Sequence, residues 1–163
     1  MIIAIPKETA EREKRVALIP DTISKLVENG HDVWVESDAG KASSYLDEAY
    51  QSAGAEIISD RTKIFADSDI LISIQTPPKE DLGKMKAESI LICFLWALQN
   101  EETVSYLQEN NITALGMDAI PRISRAQSMD ALSSMSSIAG YKSALIAANE
   151  LDRYMPMMMT AAG

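Results

Sequence analysis

Residues 121–134, Pro-Arg-Ile-Ser-Arg-Ala-Gln-Ser-Met-Asp-Ala-Leu-Ser-Ser, put two arginines, a glutamine, an aspartate and four serines into one short segment. Arg122 and Arg125 can each present a planar fork to a carboxylate or phosphate. Gln127 offers an amide and Asp130 an acceptor, the groups that would hold a carboxamide or a ribose hydroxyl. A plainer account also exists. Ser128 and Ser133 can cap a helix that starts here, and Asp130 is favourable in a first turn. Capping with a surface ion pair accounts for Ser128 and Asp130. It leaves Arg122, Arg125 and Gln127 without a purpose, so ligand binding and capping both stay open on chemistry alone.

A second candidate is Arg15, in the charged segment 6–20 that follows the first apolar run. In open α/β sheets ligands gather beyond the carboxyl ends of strands, which gives this loop a binding reading beside that of a charged, mobile connection. Other chemistries are poorly supplied. The one histidine, His31, follows Gly30 at a helix-to-strand turn, and without a second His or a Cys pair there is no zinc spacing. No serine–histidine–aspartate arrangement is supported. The single cysteine, Cys93, sits in the apolar run 90–95 and reads as a buried, inert thiol in a reducing compartment. Neither GxGxxG nor GxxxxGKS occurs, so no complete dinucleotide or phosphate cradle is present. A net charge of -9, with basic residues scattered apart from a cluster around Arg12, Lys14 and Arg15, argues against nucleic acid. The start, Met-Ile-Ile-Ala-Ile-Pro, lacks the parts of a secretory signal, and no apolar run approaches the roughly 20 residues of a membrane span.

The elements that must position these residues alternate along the chain. Short apolar runs predict strands at 2–5, 32–36, 56–58, 70–74, 89–95 and 112–115. Most are continuous runs, not in/out alternations, as in parallel strands covered on both faces. Helices are predicted over 21–29, 47–52, 61–66 and 101–110, with Gly30 and the pair Asn110-Asn111 at helix ends. This order predicts a doubly wound, mostly parallel α/β sheet. Ile138, Tyr141, Leu145 and Ala148 recur at helical spacing, predicting one long helix over about 128–154. Its other faces are rich in Ala and Gly, which permits close approach to a second body. A methionine-rich stretch, 155–159, offers soft apolar surface beyond it.

Taken together, residues 3–8 (Ile-Ala-Ile-Pro-Lys-Glu), Arg15-Val-Ala, residues 35–40 (Val-Glu-Ser-Asp-Ala-Gly), the PRISRAQSMDALSS run and Ile138-Ala-Gly-Tyr141 resemble one known family. It is the N-terminal part of the NAD(H)-binding component of proton-translocating NAD(P) transhydrogenase, with alanine dehydrogenase as a relative. Asp38 departs from the glycine that many members carry. The resemblance implies a Rossmann-like N-terminal domain over 1–127, then a long crossover helix and Met-rich linker over 128–163 toward a second nucleotide-binding domain absent from this chain. It implies that Arg122, Gln127, Asp130 and Ser133 lie beside the nicotinamide and its ribose. Gln127 and Ser133 would hydrogen-bond, Arg122 and Asp130 would fix loop and ring, and Arg15 and Arg125 would be secondary.

The implied partners are the rest of the alpha subunit, a membrane-embedded proton-channel subunit, a component holding NADP(H), and a second copy in a homodimer. The implied place is peripheral, on the cytoplasmic side of the inner membrane. Hydride passes between two nicotinamides, so the protein has only to position rings, and the chain by itself is expected to bind NADH weakly and not to turn over. In alanine dehydrogenases a lysine and a histidine hold and protonate the keto acid. Gln75 and Trp96 stand at the matching strand ends, and neither is an acid/base near neutral pH. The alternatives are an alanine-dehydrogenase-like fragment and a non-catalytic assembly module built on the long helix.

Overall fold

Ile2-Ile-Ala-Ile5 shows no alternation of apolar and polar residues, and its packing gives the reason. Ala4 joins one buried cluster with Trp34, Phe65, Leu71 and Leu107, whereas Ile5 joins another with Ile23, Val33, Val35 and Tyr50. Both faces of the strand are covered, so both parities must be apolar. The computed structural model describes residues 1–153. Six parallel strands, β1 (Ile2–Ile5), β2 (Asp32–Glu36), β3 (Glu56–Ile58), β4 (Ile70–Gln75), β5 (Ile90–Phe94) and β6 (Thr113–Gly116), form one sheet in the order β3-β2-β1-β4-β5-β6. Helices α1 (Pro20–Glu28) and α2 (Asp47–Ser52) contribute to the Ile5 cluster. Helices α3 (Arg61–Asp67), α4 (Lys79–Leu82) and α5 (Glu101–Glu109) contribute to the Ala4 cluster. The fold is the expected doubly wound α/β sheet. The strand order reverses between β1 and β4, the place where such sheets offer a crevice.

Local chemistry explains most boundaries. Pro20 opens α1 at a position where its missing N–H costs nothing. Asp60 caps α3 by accepting from the backbone N–H groups of Thr62 and Lys63. At the far end of α1 Gly30 takes φ 84°, and the N–H groups of Gly30 and His31 reach back to the carbonyls of Val27 and Leu26. Asn111, φ 54°, closes α5 in the same way, with Ile112 reaching Leu107. His31 thus follows a helix-closing turn, as expected. Asp38 also sits in the left-handed region, φ 61°, with its N–H held by the Asp47 carboxylate at 2.9 Å. A glycine would enter this conformation freely; aspartate is among the few other residues that tolerate it.

One helix was not predicted, and two predictions, the span of the long helix and Ser128 as its cap, require correction. The short helix α4 falls where the sequence offered only Pro-Pro followed by charged residues. The long helix, α6, spans Ala131–Glu150 and not 128–154, because a 3-10 turn over Ser124–Met129 precedes it and Leu151 is already extended. Ser128 accordingly caps nothing. Finally, the apolar residues at helical spacing are not covered: Ile138, Tyr141 and Leu145 are all at least half exposed. The Met-rich stretch lies outside the described residues. No helix among the described residues is long and apolar enough to cross a membrane. The chain divides into two compact units, Met1–Ala119 and Ile120–Gly163.

Candidate functional site

In the second unit the decisive residue is Asp130. Its backbone leaves helical geometry at ψ 86°, and its carboxylate accepts the Ser133 backbone N–H at 2.9 Å and the Ser133 hydroxyl on its other oxygen. Its carbonyl accepts from the Ser134 hydroxyl at 3.2 Å. Asp130 is the N-cap of α6, and Ser133, expected to cap, is the residue being held. These bonds, with the nearby Arg122 guanidinium, keep the Asp130 carboxyl below the usual carboxylate range. The cap also orients Ser133: its proton is committed to Asp130, so its free capacity is that of an acceptor.

The 3-10 turn brings the remaining candidates to the same place. Arg122, Gln127, Asp130 and Ser133 line one concavity of about 270 Å³, together with Ile123 and Ser124. All four primary candidates are therefore neighbours, and Ser124 joins them although its serine had no distinguishing spacing. Arg125 is exposed and is not among the lining residues. Asp130 is buried, while Arg122 and Gln127 are exposed and make no side-chain hydrogen bond among the described residues. A guanidinium and a primary amide with no internal use, beside a hydroxyl that Asp130 orients, suit a polar ligand bearing an amide and hydroxyls.

In the first unit Arg15 is engaged, not open. Its Nε donates to Glu13 Oε1 at 2.7 Å and Nη2 donates to Oε2, while the guanidinium carbon lies 6.0 Å from the centre of the Phe94 ring. Glu13 also accepts the Gln75 side-chain amide at 2.9 Å. Hydrogen bonding to Arg15, above all, pulls the Glu13 carboxyl down to about 2. Glu8 accepts the backbone N–H groups of Ile74 and Gln75. Beside it, Pro6, Lys7, Thr9, Arg61, Ser73 and Thr76 help to line a cavity of about 210 Å³ at the carboxyl ends of β1 and β4. Arg61 is shared between Asp81, at 2.9 Å, and Glu36, at 2.6 Å, and donates to the Lys7 carbonyl as well.

Sequence reading missed Glu8, Glu13 and Arg61 because their partners are either two residues away in a loop or on other elements. The basic cluster at Arg12, Lys14 and Arg15 gave no sign of which arginine is held. Trp96 stacks on Phe94 with centroids 6.4 Å apart, its backbone at φ 50°, a rare conformation for a bulky residue. Cys93 is buried, and burial pushes its thiol up to about 11, so it is inert as expected. Among the described residues no group of three or more His, Cys, Asp or Glu could hold a metal.

Comparison with known proteins adds a family. The family model described as alanine dehydrogenase/PNT, N-terminal domain, matches residues 4–139. The NAD(P) transhydrogenase subunit alpha of Haemophilus influenzae is 42% identical, over 100% of this chain and 31% of its own length. Among solved structures, the transhydrogenase from Sinorhizobium meliloti is 37% identical with a TM-score of 0.90, over 100% of this chain and 48% of that one. An L-alanine dehydrogenase is more distant, 27% identical with a TM-score of 0.70, over 74% of this chain and 33% of that one. The chain thus spans about a third of the length of the curated transhydrogenase alpha subunit from Haemophilus influenzae.

Proposed function

The chain belongs to the alanine dehydrogenase/PNT N-terminal domain family, and from that premise we propose that it forms part of the NAD(H)-binding component of a proton-translocating NAD(P) transhydrogenase. One observation carries the reading. Arg122, Gln127, Asp130 and Ser133 line one concavity, and Arg122 and Gln127 spend no side-chain hydrogen bond elsewhere among the described residues. When bound, the nicotinamide dinucleotide supplies the hydride chemistry. The residues of this chain bind and orient. The Gln127 amide matches a carboxamide donor for acceptor, and Ser133 offers lone pairs to a ribose hydroxyl because its own proton goes to Asp130. Asp130 and Arg122 fix loop and ring: Asp130 caps the turn, and Arg122, free of internal bonds among the described residues, faces the ligand, with Arg15 and Arg125 in secondary roles.

The remaining elements of the reading extend beyond this chain. Residues 1–127 serve as the Rossmann-like N-terminal domain, and residues 128–163 lead toward a second nucleotide-binding domain elsewhere in the alpha subunit. NADH oxidation is coupled to reduction of NADP+, held on a partner component, and to proton movement through a membrane-embedded subunit. The component works as a homodimer, peripheral to the cytoplasmic face of the membrane. The higher likeness to transhydrogenases than to an alanine dehydrogenase supports this choice, in identity and TM-score alike. So does Gln75, whose amide does not ionise near neutral pH and is bound to Glu13.

Fluorescence titration with NADH tests the proposal. Arg122→Ala and Gln127→Ala should each weaken binding about tenfold, the worth of one charge-assisted or well-placed hydrogen bond. Equal affinity of both variants and the parent chain would remove the site.

A further inference from the structure

The end of β4 is irregular in a way that the strand ladder does not explain. Along β4 and β5 the pairing runs from Ile72 with Ile92 to Gln75 with Phe94, three residues against two, so β4 carries one extra residue. The neighbour on the other side, β1, stops at Ile5, and its pairing with β4 covers only Ile70 and Leu71. The N–H groups of Ile74 and Gln75 therefore emerge where β1 has no strand left to offer. Glu8 fills that place, one carboxylate oxygen to each N–H. Ser73 closes the same turn by donating to the Gln75 carbonyl at 2.8 Å. With both backbone groups of Gln75 held, its side-chain amide meets Glu13, which in turn holds Arg15 by both Nε and Nη2.

We propose that Glu8 is a positioning residue: its carboxylate stands in for the missing strand neighbour of β4, fixes the extra residue there, and through Gln75 and Glu13 sets the orientation of Arg15. The proposal rests on the reading of Arg15 as a secondary ligand residue only for its biological purpose; the coupling itself is a property of the fold. The chain of contacts runs through four residues and each link is a bond to a charged group or a fixed peptide, which makes it stiff. The cost of burying a carboxylate argues in the same direction. Burial raises Glu8 above the usual 4.5, against the pull of its two N–H bonds. A carboxyl that binds its proton more tightly when folded favours the fold below its unfolded pKa and loses that contribution as pH rises through the folded one. Ionised Glu8 is thus retained at some expense to stability. The groups that face it are Glu13 and Arg15 from its own loop, Lys7 and Arg61 around the shared cavity, and Cys93 on β5, which stays neutral.

The two carboxyls titrate in separate windows, Glu8 above 4.5 and Glu13 near 2, and this separation makes the coupling measurable. The experiment is nitrogen-resolved NMR of the chain, following the Ile74 and Gln75 amides and the exchange of the Arg15 Nε–H relative to that of exposed Arg12. In the parent chain, as pH falls from neutral, the two amides should shift with a midpoint above 4.5. Protection of the Arg15 Nε–H should fall with the same midpoint, before Glu13 takes a proton. In Glu8→Gln that protection should be about tenfold lower at neutral pH, the equivalent of one charge-assisted bond, and its dependence on pH in this window should vanish. Glu13→Gln should abolish the protection at every pH, while Ile74 and Gln75 still titrate, with a midpoint lowered by loss of the Glu13 charge. Arg15 protection in Glu8→Gln equal to the parent, or a parent profile that follows only the midpoint near 2, overturns the proposal. Should Glu8→Gln not fold, the parent titration decides alone. NADH affinity of Arg15→Ala judges the reading of Arg15 separately: an unchanged affinity removes its ligand role without touching the coupling.

Discussion

Arg61 and Arg122 carry the same guanidinium and meet opposite surroundings. Arg61 is three-quarters buried, divided between Asp81 and Glu36, with a bond to the Lys7 carbonyl and the Phe65 ring 5.0 Å away. Arg122 is exposed, with no side-chain hydrogen bond among the described residues and the charge of Asp130 near it. The same contrast separates the two regions they belong to. At the carboxyl ends of β1 and β4 the polar groups are spent on one another: Glu8 on β4, Glu13 on Arg15 and Gln75, Arg61 on two carboxylates. In residues 121–134 Asp130, with Ser133 and Ser134, fixes the geometry, and Arg122 and Gln127 are left over. Internal pairing of charge builds a rigid edge; charge without internal pairing, next to a fixed cap, is what a polar ligand needs.

The largest expected effect lies on the self-satisfied side. Arg61→Ala leaves the buried Asp81 with Lys84 alone and Glu36 with the Lys7 N–H alone, and should cost about 3 kcal/mol of stability in chemical denaturation, as breaking a largely buried pair does. NADH affinity should change little. A loss of affinity with stability intact would reverse the roles assigned to the two regions.

The cap and the ligand contact at Asp130 can be separated. Asn is as good an N-cap as Asp, but it has no charge to set against Arg122. Asp130→Asn should therefore keep the first turn of α6, seen as unchanged exchange of the Ser133 amide, while NADH affinity falls about threefold, less than a full charge-assisted bond is worth. Asp130→Ala should lose both. If Asp130→Asn binds NADH like the parent, the aspartate is a cap and nothing more.

A smaller effect concerns pH. Glu13 is held at about 2 by Arg15, so it contributes stability above the unfolded value of 4.5 that is lost as pH falls from there through about 2. Glu13→Gln should flatten this acid limb of a thermal-stability profile by roughly 1 kcal/mol, since the arginine is partly exposed and solvent screens the pair. An unchanged limb would mean that the carboxylate network of the sheet edge is not stiff.

These effects also show why the sequence was informative in some places and silent in others. The strands announce themselves because burial on both faces demands uninterrupted apolar residues, as in β1 and β5. Helix ends at Gly30 and Asn111 are legible because left-handed backbone needs those residue types. Residues 121–134 stood out because unpaired polar chemistry concentrates in adjacent positions. The start of α6 did not: serine and aspartate are both favoured caps, and only the backbone at Asp130 decides between Ser128, Asp130 and Ser133. Nor did the Glu8 and Arg61 contacts, which join residues 66 and 25 positions apart and depend on which strand ends lie side by side. The exposed apolar residues of α6 mark the limit of periodicity, which specifies a helix and a face but not what covers it.

The smallest effect sharpens the comparison within the second region. Arg125 and Arg122 are separated by one helical turn's worth of chain and were equal candidates on residue type. The 3-10 turn separates them, placing Arg122 on the concavity with Gln127, Asp130 and Ser133 and leaving Arg125 outside its lining. Exposed residues without such contacts change stability by less than about 0.5 kcal/mol when replaced. Arg125→Ala should accordingly leave both thermal stability and NADH affinity within about twofold of the parent, where Arg122→Ala lowers affinity about tenfold. Similar losses from the two substitutions would mean that the ligand is recognised by the total positive charge of the segment. A loss confined to Arg122 would mean that the turn, by choosing which guanidinium faces the concavity, defines the site.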